Sequence, residues 1–144
     1  KPTFLMKPIQ IFILLCLVIV APIFGQENPT QTLTVLIENV SSNQGKILLS
    51  IHNKENFMSS ETVASKEKVA TQGEMQFQFS ELPKGIYAIM LLHDANGNYR
   101  MDFSGNGHPK EAYATSGIKN LYGPPNFKDS SIAFVKDTLV RLRF

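Results

Sequence analysis

The sequence predicts an all-β fold, a two-sheet antiparallel β-sandwich of about seven strands. Three observations lead there. Short runs alternate apolar and polar residues with a period of two, the connections between them are rich in Gly, Pro, Asn and Ser, and few stretches carry a helical period.

In chain order, the run from Ile9 to Ile23 is almost wholly apolar and follows Lys1 and Lys7, the order of a secretory leader. It is shorter than the roughly 20 residues that a membrane-crossing helix needs, and it ends at Pro22 and the polar stretch after it. Residues 1–25 are therefore expected to be a signal peptide, with cleavage after Gly25 or Gln26 and with residues 1–5 upstream of a natural start at Met6. Cys16 is the only cysteine, lies inside this leader, and follows Leu15 rather than the small residue that lipid modification favours. Residues 26–144 are then an exported domain, periplasmic or secreted, without disulfides or thiolate chemistry. The precursor carries 14 Lys and Arg against 12 Asp and Glu, and removing Lys1 and Lys7 leaves the domain formally neutral. No basic stripe points to nucleic acid, and no membrane span is expected after cleavage.

The first strand is expected from Thr32, where Leu33, Val35 and Ile37 share one face and Thr34, Leu36 and Glu38 the other. Ser41, Ser42, Asn43 and Gly45 break the run, and Ile47, Leu49 and Ile51 resume it through His52, which reads as a hairpin. Residues 53–72 are polar and without a clean period. They predict a loop with a weak strand, or alternatively a short helical turn. After Gly73, Met75, Phe77 and Phe79 alternate with Glu74, Gln76 and Gln78. Leu82-Pro83-Lys84-Gly85 then predicts a type II turn, with proline presetting one corner and glycine taking the positive φ. The continuous apolar run from Ile86 to His93 predicts a central strand covered on both sides. Two final strands are expected over Ser131 to Val135 and Thr138 to Phe144, the latter alternating Leu139, Arg141 and Arg143 with Val140, Leu142 and Phe144.

The stretch from Asp94 to Pro125 is the anomaly, because structureless loops beyond about 12–15 residues are uncommon unless functional. Its segment DANGNYRMD places Asp94, Asn96, Asn98 and Asp102 at alternate or near-alternate positions, with the Arg100 carbonyl between them and Glu111 able to fold back. A hard cation such as calcium takes six to eight oxygens, and a curled loop can aim side chains at this spacing toward one centre. Tyr99 stands where such loops usually carry glycine, and Gly105 stands where they usually carry a carboxylate, so calcium affinity should be weak, roughly 10⁻⁴ to 10⁻³ M. The alternative is that these Asp and Asn side chains bond their own backbone as Asx turns. Tyr99, Phe103, Tyr113, Tyr122 and Phe127 either pin the loop to the sandwich or form an apolar, sugar-stacking surface.

Catalytic signatures are sparse. There is no Gly-x-Ser-x-Gly elbow and no phosphate-cradling glycine loop between a strand and a helix. The histidines His52, His93 and His108 have no recognised ligand spacing and read as solvated or capping groups. An enzyme would have to use His93, Asp94 and Glu111 as acid-base groups converging in one pocket.

The segments Leu82-Pro83-Lys84-Gly85-Ile86-Tyr87-Ala88, His93-Asp94-Ala95-Asn96-Gly97-Asn98 with Asp102, Gly107-His108-Pro109-Lys110-Glu111 and Gly123-Pro124-Pro125-Asn126-Phe127 resemble the bacterial exported domain-of-unknown-function family 2141. The likeness runs from about Thr32 to Phe144. It implies a small exported β-rich protein of prealbumin-like or immunoglobulin-like sandwich form, with no established activity. Two departures stand out: Tyr99 replaces the glycine of the family's Asp-x-Asn-x-Asn-Gly loop, and Glu111-Ala112-Tyr113-Ala114-Thr115-Ser116 alters its Glu-x-Tyr-Gly-Phe-Ser element. The turn before Tyr87 is similar to that of prealbumin-like and carboxypeptidase-regulatory sandwiches. Hydroxyisourate hydrolases share that turn, but their closing Tyr-Arg-Gly-Ser is Arg141-Leu142-Arg143-Phe144 here. The expectation from sequence is thus an exported, non-catalytic module of unknown role, presenting its long loop to an envelope or extracellular ligand or protein, with calcium as the one candidate cofactor. A cell-envelope enzyme acting on a small molecule or glycan, or an envelope assembly protein, is the alternative.

Overall fold

Side chains that alternate along short strands must be sorted between an interior and water, and two facing sheets do this here. The computed structural model describes residues 31–117 and 124–144, so the expected leader, its cleavage site, Cys16 and Tyr122 lie outside the described residues. The strands are Leu33–Val40 (β1), Lys46–His52 (β2), Ala64–Val69 (β3), Gly73–Phe79 (β4), Gly85–Asp94 (β5), Tyr113–Thr115 (β6), Ser131–Phe134 (β7) and Thr138–Arg143 (β8). One helical turn, Phe127–Ser130 (α1), precedes β7. A three-stranded sheet has the order β4-β1-β8, and a five-stranded sheet has the order β3-β2-β5 with both β6 and β7 on the far side of β5. The predicted β-sandwich is therefore the fold, with eight described strands instead of about seven.

The core comes from the residues whose alternation predicted it. Leu33, Val35 and Ile37 of β1 face Ile47, Leu49 and Ile51 of β2, and Met75, Phe77 and Phe79, Tyr87, Ile89 and Leu91, Phe134 and Leu142 close the layer. Each fully buried aliphatic or aromatic side chain contributes roughly 1.5–3 kcal/mol relative to exposure. The pairing is antiparallel throughout except that β1 runs parallel to β8, with Leu33 opposite Thr138 and Ile37 opposite Leu142.

The hairpin expected between β1 and β2 is not formed. The two strands belong to different sheets, and residues 41–45 arch from one to the other. Gly45 makes the arch possible. It has φ +71°, and a Cβ there would stand 2.0 Å from the Asp94 carbonyl oxygen. The type II turn is also corrected, since Gly85 is absent from the positive-φ residues. What Gly85 supplies is room: a Cβ would meet the Tyr87 ring at 2.9 Å, and that ring must lie there for its hydroxyl to donate to the Pro83 carbonyl at 2.9 Å. This is a tyrosine tie from a strand back to its own entry turn. Tyr87→Phe should cost about 1 kcal/mol in urea denaturation, the net value of one hydrogen bond.

The polar stretch 53–72 holds a strand, β3, and not a helical turn. Its pattern was weak because the positions directed toward the other sheet are lysines. Lys66 and Lys68 reach across the open side of the sandwich, where their ammonium groups lie 5.0 Å from the ring centroids of Phe79 and Phe77 and donate to the edge carbonyls of Gln78 and Gln76. These lysines occupy acceptors that an exposed edge strand would otherwise offer to a second chain.

Candidate functional site

The long connection is divided. Ala95 to Ala112 form the loop proper, β6 follows as a short strand that the sequence reading missed, and α1 returns the chain to β7. The loop is built around Asp94, the last residue of β5 and the one fully buried carboxylate among the described residues. Its Oδ1 accepts the N–H of Gly97 at 2.8 Å and of Asn98 at 3.2 Å, and its Oδ2 accepts the N–H of Tyr99 at 2.8 Å. Three consecutive amides therefore wrap one carboxylate, which requires left-handed backbone at Gly97 (φ +76°) and Tyr99 (φ +62°). Tyr99 thus takes the conformation usually left to glycine, at a cost of roughly 1–2 kcal/mol. Its N–H bond to Asp94 offsets part of that cost. Its phenol offsets more by meeting Lys46 Nζ, which in turn holds Glu67 at 2.7 Å. Hydrogen bonds to Glu67 first and Tyr99 second keep the Lys46 ammonium charged beyond the usual lysine range.

The other candidate residues join the same network. Asn96 Oδ1 accepts Asn98 N–H and Asn98 Oδ1 accepts Arg100 N–H, both at 3.1 Å. The two side-chain amides donate to Asp102 Oδ2 at 2.6 and 2.9 Å. Arg100 Nε lies 3.7 Å from Asp102 Oδ1. Glu111 does fold back: Oε1 accepts Ala95 N–H at 3.2 Å and Oε2 accepts Asp102 N–H at 3.3 Å. So the structure brings Asp94, Asn96, Asn98, Arg100, Asp102 and Glu111 into one network: Asn96 and Asn98 make the i→i+2 bonds of Asx turns, Asp94 and Glu111 accept backbone N–H groups, and Asp102 accepts the two asparagine amides. Among the described residues, no three His, Cys, Asp or Glu side chains group closely enough to hold a metal ion.

The acid-base grouping is not assembled. His93 and Asp94 are neighbours in β5 and so leave the sheet on opposite faces. The His93 ring is buried, with Nε2 2.8 Å from the Gln44 carbonyl oxygen and its centroid 5.9 Å from that of Phe144. His52 is likewise buried, its two nitrogens engaged by Asn56 O and Ser50 Oγ. Of the loop aromatics, Phe127 does pin the chain, stacking edge-on against Phe57 at 5.7 Å. Tyr99, Phe103 and Tyr113 remain 57%, 59% and 42% exposed.

Those exposed rings border a cleft of about 1160 Å³ between the loop and the outer face of the five-stranded sheet. Its floor is Leu48, Met90 and Leu92, set side by side by the pairing Leu48↔Leu92 and Ser50↔Met90. The unbroken apolar run of β5 predicted a strand covered on both sides; its inner residues do fill the core, but on the outer face Met90 and Leu92 are only half buried. Ser116 is the other residue whose role the sequence left unseen. It is buried, and its hydroxyl accepts the Ile89 N–H at 2.8 Å and donates to the Ser130 carbonyl at 2.5 Å.

Residues 35–141 match the family model described as "Uncharacterized protein conserved in bacteria" (DUF2141), a span that takes in both sheets and the whole loop. Neither the curated proteins nor the solved structures include a match to this chain.

Proposed function

This chain belongs to the DUF2141 family of proteins conserved in bacteria, and from that premise we propose that it is an exported, non-catalytic binding module. On this reading a leader over residues 1–25 delivers a single sandwich domain, residues 26–144, to the periplasm or the medium. The observation that carries it is the loop wound on Asp94, which overhangs a half-covered apolar sheet face and forms a cleft with it. A pocket of mainly apolar walls with a few polar groups is the usual form of a small-molecule site, typically roughly 300–1,000 Å³. The catalytic alternative has no comparable support, since His93 is directed into the core, away from Asp94 and Glu111. Among the described residues, no helix is long and apolar enough to cross a membrane.

The reading includes calcium as a stiffener of the loop. Asn96, Asn98, Asp102 and the Arg100 carbonyl would hold it, and Asp94 and Glu111 would complete the oxygen set only by exchanging their backbone N–H bonds for the ion and closing on Asp102. Two observations support this. Five oxygen-bearing side chains are already drawn into one short loop, and Tyr99 adopts the left-handed backbone that such a loop needs at that position. Bound calcium would replace the two asparagine donors as the partner of Asp102. Calorimetric titration of the purified protein should give a Kd of roughly 10⁻⁴ to 10⁻³ M. At about 10 mM calcium that affinity adds about 1.4–2.7 kcal/mol of stability, readable as a rise in Tm. Asp102→Ala should abolish both signals. No heat and no Tm change at that concentration removes calcium from the reading and leaves the cleft in place.

A further inference from the structure

We infer that the cleft takes a small amphiphile, an apolar chain or ring system carrying an anionic head group. The inference rests on the reading of the loop and sheet as a binding surface, and it names the ligand class.

The two outer faces of the sandwich differ in chemistry. On the three-stranded sheet the outward positions of β4 are Glu74, Gln76 and Gln78, and those of β1 and β8 are mostly polar, with Thr34, Glu38, Arg141 and Arg143 surrounding Leu36 and Leu139. On the five-stranded sheet the corresponding positions of β2, β5 and β6 include Leu48, Met90, Leu92 and Tyr113, joined across the strands by Leu48↔Leu92 and Leu92↔Tyr113. An antiparallel sheet with one face in the core ordinarily turns polar residues outward. The walls repeat the departure. Met101 and Phe103 stand on the loop side and Met58 on the 53–63 side, with Met58 54% exposed. Unbranched methionine side chains adapt to apolar ligands of varied outline.

The charges lining the cleft select the head group. Glu67 is neutralised by Lys46 at 2.7 Å, and the Lys66 ammonium is spent on the Gln78 carbonyl. Arg100 keeps a side chain 76% exposed, its Nε 3.7 Å from Asp102 Oδ1, and so retains donors for a carboxylate or sulfonate. His108 lines the same cleft. An apolar floor with a guanidinium beside it matches an amphiphile whose head is an anion.

The test uses 1-anilinonaphthalene-8-sulfonate, which has apolar rings and a sulfonate, with dodecanoate, dodecanol and dodecyltrimethylammonium as competitors below their aggregation limits. The expected result is saturable fluorescence enhancement at one site, displaced by dodecanoate at least tenfold more effectively than by the ammonium. Leu92→Asp should remove the enhancement, and Phe103→Ser, at an exposed wall position, should weaken it several-fold and serves if Leu92→Asp does not fold by circular dichroism. Arg100→Gln should reduce the preference for dodecanoate over dodecanol by about tenfold. Enhancement that depends on Leu92 but is displaced equally by all three competitors overturns the anionic class while sparing the binding reading. Absence of any enhancement overturns both. A dimer in light scattering that Leu92→Asp converts to monomer also overturns the proposal, because the occupant is then a second copy of this chain.

Discussion

Asp94→Ala is expected to lower stability by about 3–5 kcal/mol and to release the loop from the sheet. The substitution removes both oxygens around which Gly97, Asn98 and Tyr99 present their N–H groups. Each buried donor left without an acceptor costs roughly 1–3 kcal/mol, and reopening of the loop to water keeps the sum below the threefold maximum. Tyr99 would lose the bond that helps hold it at φ +62°, so relaxation of its backbone should detach the phenol from Lys46 as well. Asp94→Asn should lie between, because its single oxygen can serve Gly97 and Asn98 while its amide opposes the Tyr99 N–H. Urea denaturation gives the free energies, and amide exchange at residues 97–99 reports the loop directly. A cost under about 1 kcal/mol for the alanine variant, with exchange unchanged at those amides, would mean that the carboxylate does not organise the loop.

The difference between what was legible in the sequence and what was not has a physical origin. Period-two alternation reports which side chains face the core, and it placed Leu33, Val35, Ile37, Ile47, Leu49 and Ile51 correctly. It carries no information about which sheet a strand joins, because both sheets of a sandwich face the same interior. That is why β1 and β2 read as a hairpin although the arch at Gly45 separates them. The parallel pairing of β1 with β8 joins residues about a hundred positions apart and leaves no local trace. At the candidate site, the spacing of Asn96, Asn98 and Asp102 lets their side chains hydrogen-bond within one loop, and Glu111 reaches the Asp102 N–H. The donors that fill Asp94 are backbone amides, whose direction depends on φ at Gly97 and Tyr99, so side-chain identity alone does not reveal them. The cleft was concealed differently. An apolar run in a central strand has the same appearance whether its outer face is covered by the protein or left open for a ligand.

Ser116→Ala should cost about 2–4 kcal/mol, more than a surface serine by a wide margin. Along its far side β5 changes partner: residues 90–92 pair with β6 and residues 85–88 with β7, which leaves Ile89 at the break. Ser116 fills it. Its N–H donates to the Ile89 carbonyl at 2.9 Å, its hydroxyl oxygen accepts the Ile89 N–H, and its hydroxyl proton goes to the carbonyl of Ser130 at the end of α1. One side chain thus completes the ladder of the central strand and holds the segment that enters β7. This gives a structural reason for the serine that closes the Glu111 to Ser116 element. Alanine would leave a buried donor and a buried acceptor unpaired, each at roughly 1–3 kcal/mol, at a position closed to solvent, since Ser116 is only 2% exposed. Ser41→Ala, at an exposed position in the arch, provides the comparison and should stay within about 0.5 kcal/mol. The informative measurement is amide exchange at Ile89, which should speed up in Ser116→Ala well beyond the change in global stability. Protection at Ile89 that merely tracks global stability would mean that the two strands close the gap without the hydroxyl.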